Sequence, residues 1–219
     1  GLIQRLWLPL GPELRPSNWP WPVKIWMLGA CEVTVRGLPL DRTRKAPHRL
    51  LELLAAIVAS GGEAVPVARL TDVLWPEADG DQAQENFKKS LARLRKMLGV
   101  EQAILWQDGK ITLNRDLCWV DALAFEALAK QADSRVANTG MQDRGEAERS
   151  ALALYRGPFL RLEDIPEWAQ PYQAELRNRW TRLLARRSDQ SDSDTGATDV
   201  VRELEAAIEV DPVVELLYQ

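Results

Sequence analysis

From Val23 onward the chain alternates apolar and polar residues with a period of two. Val23, Ile25 and Met27 interleave with Lys24, Trp26 and Leu28, and after Gly29 the residues Cys31, Val33 and Val35 interleave with Glu32, Thr34 and Arg36. Gly37 and Pro39 supply turn chemistry. A period of two places every second side chain on one face, so this stretch predicts a small antiparallel sheet with one buried face.

The period then changes to that of a helix. Leu50, Leu53, Leu54, Ile57 and Val58 form one stripe between His48 and Ser60, and Gly61-Gly62 ends it. A short second helix is expected from Pro66, carrying Val67, Leu70, Val73 and Leu74 and stopping before Pro76. A third opens after Asp79-Gly80-Asp81, with Asp81 preferred as its cap. Along residues 82–98, Ala83, Phe87, Leu91, Leu94 and Leu98 recur on one face, and Gly99 closes the helix. Residues 104–113 follow as two β-rich runs around Asp108-Gly109. Asp-Gly at that place marks a two-residue hairpin, because a type I′ turn needs positive φ at both positions.

Beyond Asp121 the pattern is helical throughout. Helices are expected over 122–132, over 146–155, from Pro166 or Glu167 through Trp168, Tyr172, Leu176, Trp180, Leu183 and Leu184, and over 199–210 and 213–219. Residues 188–199 are rich in Ser and Asp and read as a solvated linker. Helix pairs of this length suggest a tetratricopeptide-like array, although no tidy repeat of about 34 residues is visible. At the other end, Pro9, Pro12, Pro16, Pro20 and Pro22 prevent a single regular helix, so residues 1–22 read as a Pro-rich connector after a short apolar turn. The expected domains are the connector 1–22, a sheet–helix–hairpin domain 23–116, and a helical domain 117–219 that ends within a helix.

Composition narrows the chemistry. The 219 residues suffice for two modest domains. There is no run of about 20 apolar residues, and residues 1–22 lack the order of a signal peptide. A cytoplasmic protein without membrane partners is expected, and a first residue that is not Met suggests a piece of a longer chain. The two cysteines, Cys31 and Cys118, have no CxxC spacing and read as small apolar fillers. A single histidine, His48, argues against zinc and His-based catalysis.

Net charge is slightly negative, at −4. The distribution says more than the sum: Lys88, Lys89, Arg93, Arg95 and Lys96 lie between Asn86 and Val100 with no acidic residue among them. With the stripe from Ala83 to Leu98 turned to a core, Lys89, Arg93 and Lys96 point away from it. Asn86 and Ser90 flank that outward face on one side and Lys88 on the other. Such a helix suits the major groove of B-DNA, where cations reach phosphates and Asn, Ser or Arg read base edges. Glu85 also points outward, and Lys110 sits at the hairpin tip within reach of a minor groove or a phosphate. The same charges on an isolated helix would be an ordinary solvated face. Third place in a helix–helix–helix–hairpin order is what points to DNA.

Other chemistries find no support. GxxxxGK[ST] and GxGxxG are absent, so no phosphate cradle and no cofactor is expected. Asp189, Asp192, Asp194 and Asp199 lack the spacing of a calcium loop, and no metal site is expected. Glu163-Asp164, Glu203 and Glu205 have no partner defining an acid/base pair, so no enzyme is expected. Of nine tryptophans, Trp7, Trp19 and Trp21 are placed to dock the connector onto the folded body or onto an upstream domain. Trp26, Trp75, Trp106, Trp119, Trp168 and Trp180 read as packing residues.

Three segments carry a family resemblance: Arg49-Leu50-Leu51-Glu52-Leu53-Leu54, then Leu70-Thr71-Asp72-Val73-Leu74-Trp75-Pro76, then Leu91-Ala92-Arg93-Leu94-Arg95-Lys96-Met97-Leu98-Gly99. They resemble the winged-helix domain of SARP-type activators, the antibiotic regulatory protein family, whose DNA-binding part is similar to that of OmpR/PhoB-type response regulators. Cys118-Trp119-Val120-Asp121 with Phe125, then 151–160 and Glu167-Trp168-Ala169, resemble that family's bacterial transcriptional activation domain. The resemblance spans 23–219. It implies an α+β winged helix-turn-helix followed by an all-α tetratricopeptide-like domain, and transcription activation through double-stranded DNA and RNA polymerase. It also implies a homodimer on tandem half-sites. The connector ahead of the winged helix and the short wing depart from the simplest members and resemble the C-terminal output region of larger regulators with upstream domains.

The expected function is sequence-specific DNA binding, with helix 82–98 in the major groove, hairpin 104–113 as wing, and Asn86, Lys88, Lys89, Ser90, Arg93, Lys96 and Lys110 as contacts. The alternative is a protein-interaction module whose helical array binds a partner and whose winged helix has lost DNA. A ligand-sensing array is a third reading, for which no pocket is legible.

Overall fold

The computed structural model describes residues 17–40, 47–133, 141–161 and 165–189. The apolar turn near the N-terminus, most of the connector, Trp7 and all expectations for 190–219 lie outside these residues. Among the described residues the protein is mixed α/β, with helices and two small sheets. It divides into two compact units, one of residues 1–27 and 31–123, the other of 28–30 and 124–219.

In the first unit, β1 (Val23–Trp26) pairs antiparallel with β2 (Glu32–Val35), and β2 with β3 (Leu38–Pro39). Positive φ at Arg36 (50°) and Gly37 (83°) makes the β2–β3 connection a primed turn. Of the expected inward set, Val23, Ile25, Met27 and Val33 are buried, whereas Cys31 and Val35 are only half-buried. The sequence pattern did not reveal the fourth strand: β7 (Cys118–Val120) lies parallel to β1, giving the order β3-β2-β1-β7. All three residues of β7 are buried, so no alternation marks it.

Helices α1 (Pro47–Ala59), α2 (Val67–Leu74) and α3 (Gly80–Leu98) follow β3 and pack on one another. Leu53, Leu54, Ile57, Leu70, Leu91 and Leu94 are almost wholly removed from water at their centre, each contributing about 1.5–3 kcal/mol of burial. Pro66 is not the first helical residue. It has extended backbone and belongs to β4 (Val65–Pro66), the outer strand of a sheet ordered β4-β6-β5. An edge strand tolerates a residue without an N–H. The hairpin itself is β5 (Ile104–Gln107) and β6 (Lys110–Leu113), in register Gln107 to Lys110 and Ile104 to Leu113. Asp108 (φ 50°) and Gly109 (φ 71°) adopt the turn expected of them.

Trp19 and Trp21, at the end of the Pro-rich stretch, are buried with their ring centroids 6.5 Å apart. The first unit closes with the start of α4 (Asp121–Asp133).

The second unit holds the rest of α4, α5 (Met141–Leu154) and α6 (Gln170–Asp189). Helix α5 starts ahead of the expected residue 146, running through Gly145. A 3-10 turn at Glu167–Ala169 precedes α6, so Pro166 and Glu167 lead into the long helix rather than begin it. Phe125, Tyr155 and Trp180 form an aromatic column, with Tyr155 and Trp180 stacked at 4.3 Å. Gln173 donates from Nε2 to the Phe159 carbonyl at 2.8 Å, and the Phe159 ring meets Tyr172 edge-on. Leu28 bridges to Phe159, with Gly29 N–H donating to the Pro158 carbonyl.

Candidate nucleic-acid interface

The candidate interface is built on α3. Its N-cap is Asp79, whose Oδ1 accepts from the Gln82 N–H at 2.8 Å. That corrects the preference for Asp81, which lies in the first turn and only complements the positive end of the helix dipole there. The other end closes at Gly99, left-handed at φ 61°, whose N–H reaches the Arg95 and Lys96 carbonyls. Ala83, Phe87, Leu91, Leu94 and Leu98 are all buried, which sets the roll of the helix.

With that roll, Lys88, Lys89, Arg93 and Lys96 are exposed, and Asn86 and Ser90 are half-buried beside them. Two side chains of this face have partners on the same helix. Lys89 Nζ lies 3.4 Å from Glu85 Oε1, both exposed, and Gln82 Nε2 donates to Asn86 Oδ1 at 3.0 Å. An exposed i,i+4 ion pair is worth only about 0.3–0.5 kcal/mol, so Lys89 is readily surrendered to a phosphate. Lys110 is exposed on the hairpin beside its turn, and Pro66 of β4 pairs with it. The structure thus brings six of the expected residues together on α3 and sets Lys110 on the adjoining sheet.

Several residues that hold this face were not read from the sequence. Arg95 does not join the exposed cations: its Nε and Nη2 donate to the Ile104 carbonyl at 3.0 and 2.8 Å. Its angular place, about 80° from the centre of the apolar stripe, carries that signal in the sequence. Trp106 was expected as a packing residue. It meets Phe87 edge-on at 5.6 Å yet stays 38% exposed, because β5 is an edge strand with only one covered side. At the approach to α3, Arg49 donates to the Leu74 carbonyl at 2.7 Å and to Glu52 Oε2 at 2.9 Å, with its guanidinium 5.6 Å from the Trp75 ring centre. The end of α2 and the turn into α3 are pinned by that one side chain.

Among the described residues no cluster of His, Cys, Asp and Glu could hold a metal ion, and no helix is long and apolar enough to cross a membrane. Cys118 is buried, its thiol pushed up to about 12 by desolvation and its Sγ 3.5 Å from the Ala103 carbonyl.

Residues 120–219 match the family described as the bacterial transcriptional activator domain. No curated protein matches the chain. Among solved structures, Mycobacterium tuberculosis EmbR, in complex with a low-affinity phosphopeptide, matches with a TM-score of 0.65 at 22% identity over 87% of this chain. The match covers 51% of EmbR, so this chain spans about half the length of that protein. The structural likeness establishes a common fold. The family match bears out, for residues 120–219, the resemblance to the bacterial transcriptional activation domain drawn from the sequence.

Proposed function

We propose that this chain is a transcriptional activator of the SARP type that binds double-stranded DNA sequence-specifically, with α3 in the major groove and the β5–β6 hairpin as a wing. The observation that carries the reading is the division of α3 into a fully buried apolar stripe and an opposite face exposing Lys88, Lys89, Arg93 and Lys96. A helix about 10–12 Å across fits a groove about 12 Å wide. Lys89, Arg93 and Lys96 then reach phosphates or guanine edges, Asn86 and Ser90 meet base edges from the flank, and Lys88 and Lys110 contact phosphates. Helices α1, α2 and α3 with the hairpin make a winged helix-turn-helix over residues 23–116. The helices after it, a tetratricopeptide-like activator domain over 117–219, provide contacts to RNA polymerase or to a second copy on tandem half-sites.

Binding to duplexes selected from a random pool tests this. The wild-type protein is expected to bind with an affinity that falls steeply with salt, each phosphate contact adding about 0.9 to the log–log slope. Lys89→Ala/Arg93→Ala/Lys96→Ala is expected to abolish binding while keeping the wild-type melting temperature. Unchanged affinity in that triple variant would refute the assignment of α3.

A further inference from the structure

We propose that Arg95 is a positioning residue that sets the angle between the DNA-facing helix and the wing, and not one of the DNA contacts. Arg95 stands between Leu94 and Lys96 in the most basic stretch of the chain, where charge alone would assign it to a phosphate. Its guanidinium is instead turned to the hairpin, where Nε and Nη2 both donate to the Ile104 carbonyl.

The reason lies in the ladder. Gln107 and Lys110 close a two-residue turn, so the antiparallel alternation makes Ile104 and Leu113 a non-hydrogen-bonded pair. The Leu113 N–H accordingly points outward, to the Gly62 carbonyl at 2.8 Å. The Ile104 carbonyl points outward on the other side, off the edge of β5. The planar fork of Arg95 fills that place, and a lysine, a point donor on a flexible stem, cannot reproduce two fixed bonds. The preceding carbonyl, of Ala103, accepts from the Asn114 N–H at 2.9 Å, so the root of the wing is held from both sides. Farther along the hairpin the Phe87–Trp106 contact is the second point of attachment to α3. Two attachments of a strand to a helix define an angle, whereas one leaves it free to pivot.

This inference rests on α3 and the hairpin being the DNA-binding elements, and two variants separate it from that reading. Arg95→Lys keeps the charge and loses the fork, while Arg95→Met loses both. Each is measured in the full chain by duplex affinity, by the salt slope, by chemical protection of guanine N7 in the major groove, and by backbone cleavage protection at the wing. Amide exchange over 104–113 in the DNA-free protein is a further readout.

Both variants are expected to weaken binding to a comparable extent, roughly tenfold, the loss of a charge-assisted hydrogen bond. Wing-side protection should be lost and guanine N7 protection kept, with faster amide exchange across the hairpin. A simple structural role would lower the melting temperature without separating the two protections. Wild-type binding by Arg95→Lys, with a reduced salt slope only in Arg95→Met, would overturn the proposal in favour of a phosphate contact. If the wild-type chain itself fails to bind duplex DNA, the functional reading falls. Amide exchange then still decides whether Arg95 holds the hairpin, and unchanged exchange in both variants would overturn that as well.

Discussion

The Asp121 carboxylate accepts a hydrogen bond from the Met27 N–H at 2.8 Å, joining two residues 94 positions apart. Asp121 is fully buried, and the same oxygen accepts from the Ala122 N–H at 2.7 Å. One side chain therefore anchors the start of α4 and the end of β1. Asp121→Ala strips a buried donor of its partner and is expected to cost about 1–3 kcal/mol, read as a lower urea midpoint. A midpoint within error of wild type would show that the link contributes nothing net.

Gly29 has φ 95°, and a Cβ placed on it would stand 2.9 Å from the Arg156 carbonyl oxygen. Both the backbone conformation and the space exclude a side chain there. Gly29→Ala is expected to lose about 1–3 kcal/mol in chemical denaturation. Gly37, also at positive φ but with open space around it, provides the control: Gly37→Ala should lose less.

The two thiols should differ in reactivity. Cys118 is buried and its thiol pushed up to about 12 by desolvation, so it stays protonated at pH 8, whereas Cys31 is half-buried. Thiol titration at pH 8 is expected to modify Cys31 in the native protein and Cys118 only after denaturant is added. Rapid native labelling of Cys118, located by peptide mapping, would contradict the burial described.

Glu148 on α5 is buried, and desolvation raises its carboxyl pKa despite the opposing pull of Arg186, Arg187 and Arg144, with Asp133 adding to the rise. A carboxyl raised on folding makes the native state the better proton binder. Its charge therefore weakens the fold as pH climbs from the ordinary carboxylate value through the raised one. Glu148→Gln is expected to be more stable than wild type at pH 7, with the advantage disappearing near pH 4. An advantage independent of pH would point to packing, and a loss at pH 7 would mean that the Arg groups outweigh burial.

Much of the candidate site was legible because it is encoded over short distances. The spacing of Ala83, Phe87, Leu91, Leu94 and Leu98 placed Lys89, Arg93 and Lys96 outward before any fold was known, since a helix repeats every 3.6 residues whatever surrounds it. Asp108-Gly109 announced its hairpin because two adjacent positive φ values are easy for few other pairs. The cap was harder. Asp79 and Asp81 are chemically equivalent candidates, and only the extended backbone of Asp79 decides between them.

By itself, then, the sequence determined the order of the first strands, the helices and the hairpin, the buried stripe of α3, and the cluster of cations on its other face. Periodicity and turn chemistry act within a few residues, so they survive without knowledge of partners. Tertiary structure alone decided that β7 runs parallel to β1, that Asp121 answers Met27, that Trp106 stays partly exposed, and that Arg95 serves the wing. Each of these depends on which distant backbone group arrives unpaired beside a side chain. An arginine among lysines looks like one more cation until the outward-pointing carbonyl of Ile104 is set in front of it.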